Sequence, residues 1–403
     1  MSDGDRAEIQ GMDARALQGL RVLDIGHWLA GPFGTTLLGD FGAEVIKVER
    51  PGGQNTPMRS PVSWSVENRN KRSITLALDH PKGQALFKRL VKHIDVITEN
   101  FVPGTLEKWG LGYADLAAVN ERVILVRVSG FGQTGPYRDR KSFDRLGIAM
   151  GGLTYTTGFP DGPPIRPGFM VADYGTGLMN AFATLIAVYN RDVAGTGKGQ
   201  EVDVSLYETV FRLSGPLISN YDAKGVIRER SGNLVPGISP GDQFQTSDGR
   251  WVVIHAGADH HFRALMEAVG FPEIGQDERF ARLEQRIPHM EFLNSLVDQW
   301  VSQHPLETVM ETVLGAGVAI APVYSAKDIA EDPHYAAREA IVTVDDPVAG
   351  PVKQPAPLPK LSRTPGRIYN PAPGLGEHNA KIYGGLLGLS DDEIRALTDE
   401  RVI

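Results

Sequence analysis

The first candidate for chemistry in this chain is a lone carboxylate in an apolar setting. Asp173 lies within RPGFMVADYGTGLMNAFATLIAVYN (residues 166–190), between a short apolar run and a glycine-punctuated turn, and a long uncharged segment follows it. One reading is structural: an Asp at a helix start accepts backbone N–H bonds and is favoured by the helix macrodipole. The other reading uses the same geometry. A carboxylate kept ionised at a helix N-terminus, with Gly175 and Gly177 letting another backbone approach, can act as a nucleophile and form a covalent acyl intermediate. Spacing alone leaves both open.

The rival chemistries find little support. The chain has no cysteine, which excludes disulfides, thiolate zinc sites and a cysteine nucleophile and fits a reducing, cytoplasmic compartment. His260 and His261 are adjacent but belong to no H-E-x-x-H pattern, so no metal is expected. GDFGAE and DYGTG have G-x-G-like spacing, yet no complete G-x-G-x-x-G opens a helix after the first strand, and neither a phosphate-binding G-x-x-x-x-G-K-[ST] loop nor a G-x-S-x-G elbow occurs. The net charge of -8 argues against broad nucleic-acid binding. The N-terminus is polar and acidic, without the apolar stretch of a signal peptide. No run approaches the ~18 uncharged apolar residues of a membrane span, so no membrane is expected.

The elements that would position Asp173 alternate in type. RVLDI (residues 21–25) reads as a strand, LAGPFGTTLLGDFG (29–42) as a helix closed by glycine, and AEVIKVER (43–50) as a second strand, which together make a βαβ unit. SITLALD (73–79) continues as a strand and PKGQALFKRLVKH (81–93) as an amphipathic helix opened by proline. IDVITEN, GYADLAAVN and RVILVRVSG then read as strand, helix and strand. The pattern predicts an α/β fold with a doubly wound, Rossmann-like, mostly parallel sheet. At 403 residues the chain is too long for one ordinary core. A loose tail is expected over 1–18, a large α/β domain over 19–225, a smaller α+β domain over 226–330 that opens with a hairpin at QFQTSDGRWVVIHAG, and a return to the large domain over 331–403. Pro/Gly-rich crossings near 223–243 and 343–366 read as linkers.

Seven blocks along this framework resemble the class III CoA-transferase family, which includes formyl-CoA and carnitine CoA-transferases. They are LQGLRVLDIGHWLAGPFGTTLLGDFGAEVIKVERPGG, NRNKRSITLAL, ENFVPGTLEKWGLGY, VSGFGQTGP, RPGFMVADYGTGL, TGKGQEVDVSLYE and LGEHN. The resemblance runs from about Leu17 to the C-terminus, and Asp173 matches the family's catalytic aspartate. It implies transfer of CoA from an acyl-CoA to a free carboxylic acid. In that route the aspartate forms a mixed anhydride and then a CoA thioester. It needs one carboxylate, no metal and no tightly bound cofactor; coenzyme A enters as substrate.

The resemblance also implies roles for further residues. His27, Ala30 and Gly31 line up with the loop beside the thioester, and Arg50 with a residue near the nucleotide. Asn100 and Phe101 match adenine and pantetheine contacts, while Lys108 and Lys141 match phosphate-side cations. Two positions depart from formyl-CoA transferase: Asp79 stands where that enzyme has lysine, and Leu29 replaces a glutamine beside the active site. The stretch PGISPGDQ is the nearest counterpart of that enzyme's glycine-rich lid. NRNKRS, RPG and GFGQTGP look closest to the branch using small dicarboxylic acids with succinyl-CoA as donor. In that branch Arg69 would pair with a distal carboxylate or, alternatively, serve a structural ion pair.

Two alternatives remain beside the transferase. α-Methylacyl-CoA racemases share the fold and the aspartate but need a second base, a histidine that falls at Phe143 here; a phenyl ring cannot carry a proton. A catalytically silent CoA-binding protein is the other. The resemblance further implies an interlocked homodimer, each chain threaded through its partner, with the active site where one large domain meets the other chain's small domain.

Overall fold

The computed structural model describes residues 15–53, 57–235 and 237–403. The expected tail therefore lies outside the described residues up to residue 14. Residues 15–18 are ordered rather than loose, because the Leu17 amide donates to the Phe41 carbonyl and its side chain packs on the sheet. By contacts the chain divides into two compact units. One comprises the described part of Met1–Thr154 with Arg166–Gly225 and Ala337–Ile403; the other comprises Tyr155–Ile165 and Val226–Ala336.

The first unit is built on six strands: β1 (Arg21–Asp24), β2 (Glu44–Glu49), β3 (Lys71–Thr75), β4 (Val96–Glu99), β5 (Ile124–Ser129) and β6 (Glu201–Ser205). Every pairing is parallel, in the order β3-β2-β1-β4-β5-β6. This is the doubly wound order, whose topological switch lies between β1 and β4. The strands are apolar on both faces, as a parallel sheet covered twice requires. Leu23, Ile46, Ile74 and Ile97 point to one face, where helix Pro81–Val91 and the C-terminal residues Tyr383, Val402 and Ile403 cover them. Val22, Val45, Val96 and Val126 point to the other.

That second face is covered by α1 (Ala30–Asp40) and by α2 (Val171–Asp192), a helix of 22 residues. The two helices cross closely because both are glycine at the contact. A Cβ on Gly34 would stand 2.4 Å from Asn180 Nδ2, and one on Gly177 would stand 2.6 Å from Phe33 Cδ1. Asn180 also donates to the Gly31 carbonyl at 3.1 Å. Gly175 plays no such part, since a Cβ there would make ordinary contacts of 3.5 and 3.6 Å with Thr209 and Leu213. By length and composition α2 is apolar enough to cross a membrane, contrary to the sequence reading. Its buried residues, Ala172, Thr176, Gly177, Asn180, Thr184 and Ala187, face α1 and the sheet. Its other side exposes Leu178, Phe182, Ile186, Tyr189 and Val193 at near-helical intervals.

In the second unit, β7 (Gly241–Gln245), β8 (Trp251–His255) and β9 (Ala319–Pro322) form an antiparallel sheet packed on helices such as Asp259–Ala268 and Met290–Val301. Residues 155–165, which the sequence reading kept in the large domain, pack here: the Tyr155 hydroxyl donates to Glu229 at 2.7 Å, and the Gly232 amide donates to the Gly158 carbonyl. The crossing near 343–366 is not wholly a linker. It contains most of a hairpin of β10 (Ile341–Asp346) and β11 (Gly350–Pro355), in which the prolines occupy edge positions.

Gly177→Ala should therefore destabilise the protein by about 1–3 kcal/mol through overpacking of Phe33 and Ala30. Gly175→Ala should be neutral or stabilising, because only helix propensity changes there. Thermal melting of the pair checks this; equal melting temperatures would refute the tight crossing.

Candidate active site

The carboxyl ends of β1 and β4 carry the first site elements, at the switch point where an open α/β sheet leaves a crevice. The loop after β1 is held from beneath by a buried ion cluster. Asp24, at the end of β1, is fully buried; its Oδ1 accepts from Lys47 Nζ at 3.1 Å and from the Gly26 amide at 3.0 Å. Its Oδ2 accepts from Lys71 Nζ and Thr35 Oγ1, both at 2.9 Å. Lys71 also donates to the Pro32 carbonyl at 2.8 Å, and Lys47 donates to the Gly26 carbonyl. Burial alone would raise the Asp24 pKa, but the two lysines outweigh it and hold the group well below the usual carboxylate range.

From β4, Asn100 clamps the same loop from above. Its Oδ1 accepts from the His27 amide and its Nδ2 donates to the His27 carbonyl, each at 2.7 Å. The His27 ring meets Phe101 edge-on at 4.9 Å. Burial, and next the nearby Lys47, push the His27 pKa down to about 4, so the ring is neutral at pH 7. Trp28, the next residue, has φ of 58°, a left-handed conformation that non-glycine residues rarely adopt. Its ring meets Phe143 at 6.0 Å.

Asp173 stands in the first turn of α2, whose start is three residues earlier than Asp173 would set as a cap. The helix end is capped instead by Asp144, the first residue of α3 (Asp144–Met150). Asp144 Oδ1 accepts from the amides of Ala172 at 2.8 Å and Asp173 at 3.2 Å. The capping role expected for Asp173 thus belongs to a residue 29 positions away, and the Asp173 carboxylate is left without a hydrogen-bond donor or cation among the described residues. The expectation that the helix start keeps it strongly ionised is also corrected. Burial, and next the Asp144 charge, push its pKa up to about 7.

Asp173 opens into a cavity of about 900 Å³ lined also by His27, Ala30, Asn100, Phe101, Phe143, Asp144 and Tyr174. Tyr174 donates its hydroxyl to Glu67 at 2.8 Å. A neighbouring crevice of about 110 Å³ shares His27 and Phe101 and is walled by Arg50, Asp79 and Trp109. Arg50 and Asp79 form an exposed ion pair at 2.5 Å, which explains an acid at position 79: it partners the arginine. Lys108 and Lys141 are exposed but line neither cavity. Gly31 lies beneath, against Asn100.

Two sequence assignments are overturned. Leu29 is 1 % exposed and faces the core, not the cavity. Arg69 is 6 % exposed and fully engaged. Its Nε and Nη2 hold Asp40 at 3.1 and 2.8 Å, and its Nη1 holds Gln354 Oε1 and the Pro355 carbonyl, so it is the structural ion pair and cannot reach a substrate. Sequence reasoning missed Trp28, Asp144, Arg145, Arg166 and Tyr174. Of these, Trp28, Arg166 and Tyr174 lay inside quoted motifs, whereas Asp144 has no local pattern linking it to α2. Among the described residues, no group of three or more His, Asp or Glu is placed to hold a metal.

The site thus combines a poorly solvated carboxylate, a neutral histidine, apolar walls and an adjoining crevice that holds an arginine. Comparison with known proteins fits it. Residues 17–379 match CoA-transferase family III. The chain is 45 % identical over 398 residues to the succinyl-CoA–D-citramalate CoA-transferase of Chloroflexus aurantiacus, covering 96 % of this chain and 98 % of that one. It is 35 % identical over 418 residues to the formyl-CoA:oxalate CoA-transferase of Streptomyces coelicolor, covering 97 % of this chain and all of that one (100 %). A CAIB/BAIF family protein from Brucella suis superposes with a TM-score of 0.82 at 34 % identity, over 92 % of this chain and 99 % of that one.

A carboxyl whose folded pKa is raised contributes nothing to stability below its unfolded pKa and costs stability as pH rises towards and past its folded value. Asp173→Asn should therefore melt close to wild type near pH 4 and increasingly above it towards pH 8. The ceiling is about 4 kcal/mol at roughly 1.4 kcal/mol per pKa unit, reduced because the group is half-buried. A pH-independent difference would refute the raised pKa.

Proposed function

The chain belongs to CoA-transferase family III, and on that premise we propose that it moves CoA from an acyl-CoA, with succinyl-CoA as the donor, to a small dicarboxylic acid, with Asp173 as the nucleophile. The observation that carries this reading is the Asp173 carboxylate itself, relieved of helix capping by Asp144 and facing a cavity whose His27 and Phe101 also wall the crevice of Arg50. A carboxylate that is poorly solvated and tied to no donor is a better nucleophile than one engaged as a cap.

Each step conserves atoms and needs no water. An Asp173 oxygen attacks the thioester carbonyl, the C–S bond breaks, and CoA leaves as thiolate. The thiolate attacks the aspartyl carbonyl of the anhydride and expels the donor carboxylate, leaving an aspartyl-CoA thioester. The acceptor carboxylate attacks that thioester, and the thiolate returns to the new acyl carbonyl, freeing Asp173. A CoA lying along the channel would set its phosphates towards Arg50, with Lys108 and Lys141 as outer cations, and its pantetheine over His27 and Phe101. Asn100 then acts by fixing the His27 backbone, since both ends of its amide are already used.

Phe143 bears on the racemase alternative. It lines the Asp173 cavity, where the racemase pattern puts its second base, and a phenyl ring has no proton to exchange. The exposed apolar stripe on α2, which includes Phe182 at 59 % exposure, supports self-association as the family's interlocked homodimer.

Incubation with succinyl-CoA and a panel of carboxylic acids, followed by mass spectrometry, should show a new acyl-CoA, and Asp173→Ala should lower its rate roughly 10⁴-fold or more. No transfer, with deuterium entering the α-carbon of a 2-methylacyl-CoA, would replace this reading by the racemase. Light scattering should give twice the chain mass, and Phe182→Asp with Ile186→Asp should halve it; a wild-type monomer would remove the dimer.

A further inference from the structure

We propose that Arg145 and Arg166 together form a cationic clamp for the distal carboxylate of the acyl group, and so select dicarboxylic over monocarboxylic acids at Asp173. The inference rests on the transferase reading for its chemistry and adds the residues that choose the substrate class, in place of the excluded Arg69.

Both arginines line the cavity that holds Asp173. They come from separate segments: Arg145 is the second residue of α3, next to the capping Asp144, and Arg166 lies in the loop before α2. Both are exposed. What distinguishes them is the lack of an acid. Arg50 is paired with Asp79, Arg69 with Asp40, Arg127 with Glu99, Glu107 and Glu201, and Arg191 with Asp95 and Asp192. Among the described residues, no ion pair involves Arg145, and Arg166 makes one hydrogen bond, to the Pro167 carbonyl at 3.2 Å. The acids on the same wall do not neutralise them. Asp144 is committed to the start of α2, and Asp173 is engaged by no cation.

The remaining lining suits a short acid with a charge at each end. Trp28, Val102, Phe143 and Phe169 add apolar wall to the same cavity that Asp173 and the two arginines line. A monocarboxylate would leave both guanidiniums without a partner, whereas a dicarboxylate supplies charge-assisted bonds that planar guanidinium forks match well. The clamp would also offset the repulsion between the Asp173 carboxylate and an incoming dianion. A role in holding CoA phosphates is the competing use of these cations, but Arg50 already occupies the crevice beyond His27 and Phe101.

The test is a competition between glutarate and pentanoate, equal in chain length and concentration, for CoA from one donor, succinyl-CoA. Because the donor half-reaction is common to both products, the ratio of glutaryl-CoA to pentanoyl-CoA reports acceptor selection alone. Wild type should favour glutaryl-CoA, and Arg145→Gln and Arg166→Gln should each lower the ratio about tenfold or more, the range of charged hydrogen bonds. Arg→Lys at either position should retain part of the preference. A ratio unchanged in both Gln variants overturns the clamp, and a loss of both products in equal proportion assigns the arginines to CoA instead. If wild type forms neither product, the transferase reading is judged separately, by the panel of carboxylic acids above. Calorimetry of glutarate and pentanoate binding to the CoA-loaded protein then decides the clamp: glutarate binding weakened in both variants upholds it, and binding that is unchanged or absent in wild type overturns it.

Discussion

The site depends on the buried cluster of Asp24, Lys47 and Lys71. One carboxylate and two ammonium groups from three adjacent strands share a space closed to water. Such a cluster persists only when nearly every donor and acceptor is satisfied. Here the satisfying partners are the backbone of Gly26 and Pro32 and the side chains of Thr35 and Asn68. The electrostatic requirement of the cluster therefore dictates the path of residues 26–32. Burial pulls the Lys71 pKa down to about 8 against the pull of Asp24. Removing either lysine would take a donor from Asp24 and from a loop carbonyl, Gly26 for Lys47 and Pro32 for Lys71, and so loosen the loop carrying His27 and Trp28.

On that fixed loop the rest of the site is assembled by backbone contact. Asn100 joins the β4 end to His27, Asn180 joins α2 to Gly31, and the glycines at 34 and 177 bring α2 close enough to set its first turn beside Ala30. The strained backbone of Trp28 persists because both its neighbours are held, His27 by Asn100 and the Leu29 carbonyl by the Phe33 amide.

The carboxylate shows a division of labour between two acids. Asp144 supplies the charge and the acceptor that a helix start wants, and Asp173 is thereby spared both. The cost is a carboxylate whose pKa is raised first by its burial and next by the like charge of Asp144. The result is a carboxylate that faces the cavity with no donor or cation holding it among the described residues.

Much of the fold was legible in the chain itself. Apolar runs of four to six residues separated by helical spacing and glycine announce parallel strands and their order of appearance, because burial on both faces demands near-continuous apolar residues. Asp173 stood out in the sequence as a lone carboxylate at a helix start, whereas His27 and Asn100 were singled out only through the resemblance of their blocks to the family. What only the tertiary structure decided were the partnerships across sequence. Arg69 and Arg145 look equally free in the sequence, yet one is locked to Asp40, Gln354 and Pro355 while the other lines the cavity. Asp144 and Asp173 look like two ordinary helix-start acids, yet one caps the other's helix. Local pattern records which face of an element is apolar. It carries no information on which distant group satisfies a charge, because that depends on distances set by packing.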